Sequence, residues 1–260
     1  MLDETIITRA IIESYTKDIV DNLKVDVIIA GAGPSGLIAA KMLAAAGLKT
    51  IIFERKLSIG GGIFGGGMMF NKIVIQNEAK HILNEYNIKF NEFKPNYFVA
   101  DAIETVGKLT AGAIDAGVKI FNLISVEDVK INENYVVTGV VVNWSAVEMA
   151  KLHVDPMTFE SKFVIDATGH DCEVVKVILK KIPGAKLNTP TGKMIGELPM
   201  NAERGEKILL DTTKEIYPGL YVAGMAANAC SGGQRMGPIF GGMFLSGEKV
   251  ARLIIEKFNQ

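Results

Sequence analysis

Cysteine is nearly absent: two residues in 260, Cys172 and Cys230, far apart along the chain and in no CxxC pair. Neither a disulfide framework nor a redox-active dithiol is expected, both side chains read as small apolar packing residues, and a reducing cytoplasm fits. An excess of charge of one sign is absent as well. The 28 basic residues face 29 acidic ones, a net charge of −1, so there is no basic field to hold nucleic acid or an anionic membrane. No run of about 18 apolar residues occurs, because Gly, Pro or Lys interrupts each apolar stretch, and no membrane span is expected. The opening stretch MLDETIITRAIIESYTKDIVDN has acidic residues where a signal peptide would be basic. Histidine is scarce: His81, His153 and His170 are the only three.

What is present is ordinary for a globular protein, with 48% apolar and 22% charged residues and length enough for one large core. Residues 3–23 read as a helix, with Ile6, Ile7, Ile11, Ile12, Tyr15 and Ile19 at helical spacing. The stretch KVDVIIAGAGPSGLIAAKMLAAAGLKTIIFER then runs strand, glycine turn, alanine-rich helix, strand, which is a βαβ unit opening a parallel sheet. Helices are predicted over 76–86 and 101–116. From 118 to 165 the pattern changes to strands, with the turn NEN (132–134) suggesting a hairpin. A strand at 219–224 leads through the loop CSGGQRMGPIFGG to a closing helix, 243–257. The expected fold is α/β and Rossmann-like: one nucleotide-binding domain over 1–260, with the β-rich middle 118–165 as an insertion.

The motif Gly31-x-Gly33-x-x-Gly36 sits between a predicted strand and a predicted helix, as a dinucleotide fingerprint requires. One glycine makes the tight turn, one lets backbone reach a pyrophosphate, and one lets the helix pack close to the strand. The helix N-terminus then offers free N–H groups to the phosphates. Glu54 ends the next strand, placed to accept from ribose hydroxyls. Gly60, Gly61 and Gly62 follow closely, suited to close backbone approach to the same ligand or to a plain flexible turn.

In KLHVDPM, His153 and Asp155 alternate along an extended segment, and His170 follows the strand FVIDATG at its C-terminal end. Two imidazoles and a carboxylate would suit Fe(II); an HxD pair is more often a surface loop. Arg235, the one cation in CSGGQRMGPIFGG, is either a clamp for a small carboxylate or a surface charge. His81, in NEAKHILNEY, reads as part of a solvated face, and Met225, Met236 and Met243 read as packing residues.

Taken in order, DVIIAGAGPSGLIAA, IFERKLSIGGGIFGGG, HVDP, DATGHD and GLYVAGMAANACSGGQRMGPIFGGMFLSG resemble the thiamine thiazole synthases, the archaeal branch in particular. The resemblance covers nearly the whole chain. Flavoproteins of the glutathione-reductase type share the first and last loops in outline but not HxDP with GHD. An FAD- or NAD-dependent oxidoreductase of that type is the alternative, disfavoured by the short chain and the lack of CxxC. The resemblance implies a glutathione-reductase-type Rossmann fold that consumes NAD as a substrate. Nicotinamide leaves, the ADP-ribose condenses with glycine, sulfur is added with Fe(II) serving that step, and an adenylated thiazole carboxylate results. It implies that Ser35, Glu54, Arg55, Gly62, Val126 and Met225 contact the NAD-derived ligand, that Asp155 and His170 hold iron, and that Arg235 holds the glycine carboxylate. It also implies a homo-octamer whose sites are completed across subunits, the segment His153, Val154, Asp155 serving a neighbouring protomer. Fungal and plant relatives carry at position 153 a cysteine that gives up its own sulfur. His153 has none to give, so external sulfide and repeated turnover are expected, with His153 in acid–base or positioning work near the iron rather than as a ligand.

Overall fold

The computed structural model describes residues 1–260. Helix α1 (Glu4–Asp21) is started by Asp3, whose carboxylate accepts from the backbone N–H groups of Thr5 and Ile6. The βαβ unit follows as β1 (Lys24–Ala30), α2 (Pro34–Ala45) and β2 (Thr50–Glu54). Next come β3 (Lys72–Ile75), α3 (Lys80–Glu85), β4 (Phe90–Lys94), β5 (Tyr97–Asp101) and α4 (Ala102–Asp115). The middle of the chain gives β6 (Lys119–Asn122), β7 (Ile124–Ile131), β8 (Val137–Trp144), α5 (Ser145–Met149) and β9 (Met157–Asp166). The remainder is α6 (Glu173–Lys181), α7 (Ala202–Thr212), β10 (Lys214–Tyr217), β11 (Leu220–Val222), α8 (Met225–Ser231) and α9 (Gly241–Phe258).

Eight strands form one sheet in the order β10-β11-β9-β1-β2-β6, with the β7–β8 hairpin joined through β8 to β9. Neighbours from β6 to β11 along that order pair in parallel. Helices cover the sheet, so its central strands are nearly continuous apolar runs, VDVIIA and TIIF. Phe53 of β2 packs against Phe121 and Phe159, with ring centroids 5.7 and 4.9 Å away. Helix α9 lies tightly on α2: a Cβ at Gly247 would stand 2.5 Å from the Ser35 carbonyl oxygen. Strands β3, β5 and β4 form a separate antiparallel sheet that the sequence reading did not anticipate.

The expected insertion is narrower than 118–165. Its outer strands, β6 and β9, are members of the parallel sheet, and only the β7–β8 hairpin and α5 are inserted between them. Helix α8 likewise replaces the start of what read as a loop after the strand at 219–224. Helix α1 has its predicted extent but not a buried face. Ile6, Ile11 and Ile12 are bare, and only Tyr15 and Ile19 pack against the core. No helix is long and apolar enough to cross a membrane.

Candidate active site

From β1 the chain proceeds to β2 and β6 on one side, then to β9 and β11 on the other. The crevice that this reversal opens at the C-terminal ends of the strands is where open α/β sheets bind ligands. A cleft of about 350 Å³ lies there. Gly31, Gly33, Ser35, Glu54, Arg55, Gly62, Val126, His170 and Met225 all line it. Each was a sequence candidate, and the fold brings them together.

The three fingerprint glycines stand in different surroundings. Gly31 has φ +102°, and a Cβ there would stand 2.5 Å from the Ala167 carbonyl oxygen; the turn needs its bare backbone. Gly36 does not line the cleft. Its Cβ would stand 2.2 Å from the Gly31 carbonyl oxygen, so its part is to seat α2 against the turn. Gly33 is the N-cap of α2 and supplies no side-chain cap, and Pro34 at the first helical position has no N–H, so the donors at this helix start begin with the Ser35 N–H, on the cleft wall.

Glu54 is buried, and both its carboxylate oxygens accept backbone N–H groups at 2.9 Å: Oε2 from Ala32 in the glycine turn, Oε1 from Lys56. It thus splints the turn, with lone pairs left over for a ligand. The Arg55 guanidinium donates to Asp171 Oδ2 at 2.8 Å and to Glu173 Oε1. Burial pushes the Glu173 carboxyl up, and the Arg55 charge opposes that shift. Arg55 therefore ties the end of β2 to the GHD turn on the opposite wall.

That turn, Gly169–Asp171, is anchored by a residue the sequence reading passed over. Asp166, wholly buried at the end of β9, accepts from the Thr168 N–H at 3.0 Å and the Thr168 hydroxyl at 2.6 Å. Its Oδ2 accepts from the Val175 N–H at 3.0 Å. Burial raises its carboxyl above the usual range, opposed by these hydrogen bonds. A second unforeseen residue is Glu197, whose Oε1 lies 2.6 Å from His170 Nδ1.

His153, Val154 and Asp155 lie elsewhere, in an exposed irregular segment tied to β8 by a 3.0 Å bond from Asn143 Nδ2 to the Val154 carbonyl. They do not line this chain's cleft, and neither does Arg235, which is exposed on the 232–240 loop. The convergence of His153, Asp155 and His170 on one metal does not occur within the chain: no group of three or more His, Cys, Asp or Glu is placed to hold an ion. His81 is on an exposed face of α3, where its Nε2 lies 3.0 Å from Glu248 Oε1.

Residues 8–240 match the model of the Thi4 family. The chain belongs to that family. Thiamine thiazole synthases of Methanococcoides burtonii and Methanothermobacter thermautotrophicus are each 57% identical over 258 residues, covering 99% of both chains. That of Pyrococcus abyssi is 55% identical over 259 residues and the full length of both. Among solved structures, the crystal structure of Thermovibrio ammonificans THI4 superposes with a TM-score of 0.97 at 47% identity, over 100% of each chain. The Rossmann-like α/β fold expected from the sequence is thus that of a Thi4 protein.

In this Thi4 chain the two cysteines, distant in sequence, are neighbours in space. Cys172 opens α6, Cys230 sits in α8, and their Sγ atoms are 3.6 Å apart with both side chains fully buried. Their mutual hydrogen bond and burial push the Cys172 thiol up. They are small buried residues, as expected, but not separated ones.

Proposed function

We propose that the chain is a thiamine thiazole synthase that converts NAD, glycine and external sulfide into an adenylated thiazole carboxylate, releasing nicotinamide, with Fe(II) and over many turnovers. The observation that carries this reading is the cleft itself, which joins the glycine-turn residues Gly31 and Gly33 and the Glu54 carboxylate to the GHD turn in one chamber. A simple dehydrogenase has no need of that turn. In this reading the free N–H groups at the start of α2 bind the pyrophosphate, and Glu54 accepts from a ribose hydroxyl. Ser35, Arg55, Gly62, Val126 and Met225 complete the contacts to the NAD-derived ligand.

Asp155 and His170 would hold Fe(II), which when bound supplies positive charge for the sulfur step. The donors fit a metal shared between copies. The His170 imidazole has Nδ1 engaged and Nε2 without a protein partner, while the exposed Asp155 carboxylate makes no hydrogen bond within its own chain. His153, Val154 and Asp155 then act in the site of a neighbour in a homo-octamer. The bare Met149, Leu152 and Val154, with the uncovered face of α1, support association. Arg235 orients the glycine carboxylate, and His153 moves or positions a proton.

External sulfide follows from the thiols. Position 153 carries no sulfur, and both cysteines are buried against each other. Incubation with NAD, glycine, sulfide and Fe(II) without oxygen, followed by mass, should show nicotinamide release and sulfide-dependent product with an unchanged protein mass. Reversible NADH formation without nicotinamide release would overturn the reading. Product made without sulfide, with protein mass lost, would overturn the sulfide assignment alone.

A further inference from the structure

His170 and Glu197 come from different parts of the chain, and their meeting is built rather than incidental. His170 stands in the Gly169–Asp171 turn, fixed from beneath by Asp166. Glu197 belongs to the irregular stretch between α6 and α7, yet its segment is held in a backbone ladder. Ile195 N–H donates to the Cys230 carbonyl at 3.1 Å, Gly196 N–H to Ala229 at 2.9 Å and Leu198 N–H to Gly233 at 3.0 Å. Arg235 N–H returns a bond to the Leu198 carbonyl at 3.2 Å. The carboxylate is 17% exposed, and its only side-chain partner is His170 Nδ1, at 2.6 Å. The imidazole makes no other hydrogen bond.

A carboxylate at Nδ1 fixes a proton on that nitrogen. The neutral ring then carries its lone pair on Nε2, and its orientation is set. We propose that Glu197 is a positioning residue: it holds Nδ1–H of His170 so that Nε2 is presented as an electron-pair donor to a divalent metal. This rests on His170 being a metal ligand, as argued above. Because the same ladder carries the Arg235 backbone, the segment that aims the imidazole also fixes the start of the loop bearing Arg235.

The test uses the full-length protein without oxygen, with Co(II) as a spectroscopic probe and ADP-ribose as the nucleotide probe. Glu197→Ala should weaken Co(II) binding roughly 10–100-fold and change the visible ligand-field spectrum. Glu197→Gln, whose amide oxygen still accepts from Nδ1–H, should retain most of the affinity. ADP-ribose affinity and the metal-free melting temperature should stay unchanged in both, which separates positioning from a general loss of structure. Co(II) affinity and spectrum unchanged in Glu197→Ala, while His170→Ala loses the metal, would reject the role of Glu197 and leave His170 as ligand. Wild-type Co(II) binding by His170→Ala would overturn the ligand assignment and the positioning role with it.

Discussion

Two of the fingerprint glycines should fail in opposite ways when each is replaced by alanine. At Gly36 the added methyl would lie 2.2 Å from the Gly31 carbonyl oxygen, far inside the 3.4 Å at which ordinary contact begins. The obstacle is backbone in a turn that Glu54 and the sheet hold in place, so α2 itself must shift. Overpacking of this kind costs about 1–3 kcal/mol, which for a chain of this size lowers the melting temperature by roughly 2–12 °C. At Gly33 the added methyl meets nothing within 4 Å, and φ is −77°, open to any residue. Losing glycine at an N-cap costs a few tenths to about 1 kcal/mol, and the stiffer unfolded chain returns a similar amount. Stability should therefore hardly change. The methyl stands instead on the cleft wall, where backbone should reach the pyrophosphate. Loss of one charge-assisted contact there, about 1.5–3 kcal/mol, weakens ADP-ribose binding roughly 10–150-fold. Calorimetric titration with ADP-ribose beside thermal melting of the free protein reads both quantities. Wild-type affinity in Gly33→Ala, or a wild-type melting temperature in Gly36→Ala, would refute the division of labour.

Arg235→Ala should raise the glycine concentration needed for turnover roughly 10–150-fold, the equivalent of a charge-assisted pair worth about 1.5–3 kcal/mol, and leave ADP-ribose affinity alone; unchanged glycine dependence rejects the clamp. Asp166→Asn sets an amide N–H₂ or a lost acceptor against the Val175 N–H that Oδ2 now satisfies, so denaturant titration should show a loss of about 1–3 kcal/mol, and an unchanged midpoint would contradict the anchoring role. Lys130 first, then Lys24, hold the Glu160 carboxyl down to about 2 from its usual 4.5. A depressed carboxylate stabilises the fold fully above its unfolded pKa and loses that contribution as pH falls toward the folded one. The gap in urea midpoint between wild type and Glu160→Gln should accordingly narrow below pH 4.5, and a gap independent of pH would show that Glu160 acts otherwise.

The first βαβ unit was legible because its signals are local: apolar runs of strand length, a glycine turn and an alanine-rich helix. The small sheet was not. Strands β3, β4 and β5 have four or five residues each, and β4 is almost wholly exposed; the apolar runs IVI and YFVA are too short for periodicity to tell a strand from a buried turn of helix. Helix α6 hides for another reason. EVVKVILKK is rich in β-branched residues, yet Val174, Val175 and Ile178 share one face that is buried, and packing overrides propensity. Helix α7 did carry a signal in Asn201, whose side chain accepts from the Arg204 N–H as an N-cap. Within the site, Gly31, Gly33 and Glu54 follow from a motif of known spacing, and Asp166 was readable as the one charge closing an apolar strand. Glu197 was not, since it reaches His170 only through a backbone ladder with a segment some 30 residues further on.

The HVDP segment poses the sharper question, because the family resemblance gives its residues a role in the site and yet they stand outside the cleft of their own chain. In an extended chain, the alternation Leu152-His153-Val154-Asp155 puts two apolar side chains on one face and two polar ones on the other. Leu152 and Val154 are 61% and 47% exposed, and nothing in the chain covers them. A second copy seated on that apolar face would account for both facts, with Asp155 serving one site and His170 of the other subunit completing it. Complementation decides the matter. His170→Ala and Asp155→Ala should each be inactive as homo-oligomers. Mixed, dissociated and reassembled in equal amounts, they should recover about a quarter of wild-type activity, because a quarter of sites then draw both residues from unmutated positions. If each site used Asp155 and His170 of a single chain, no mixture would contain an intact site, and the reassembled sample would stay inactive.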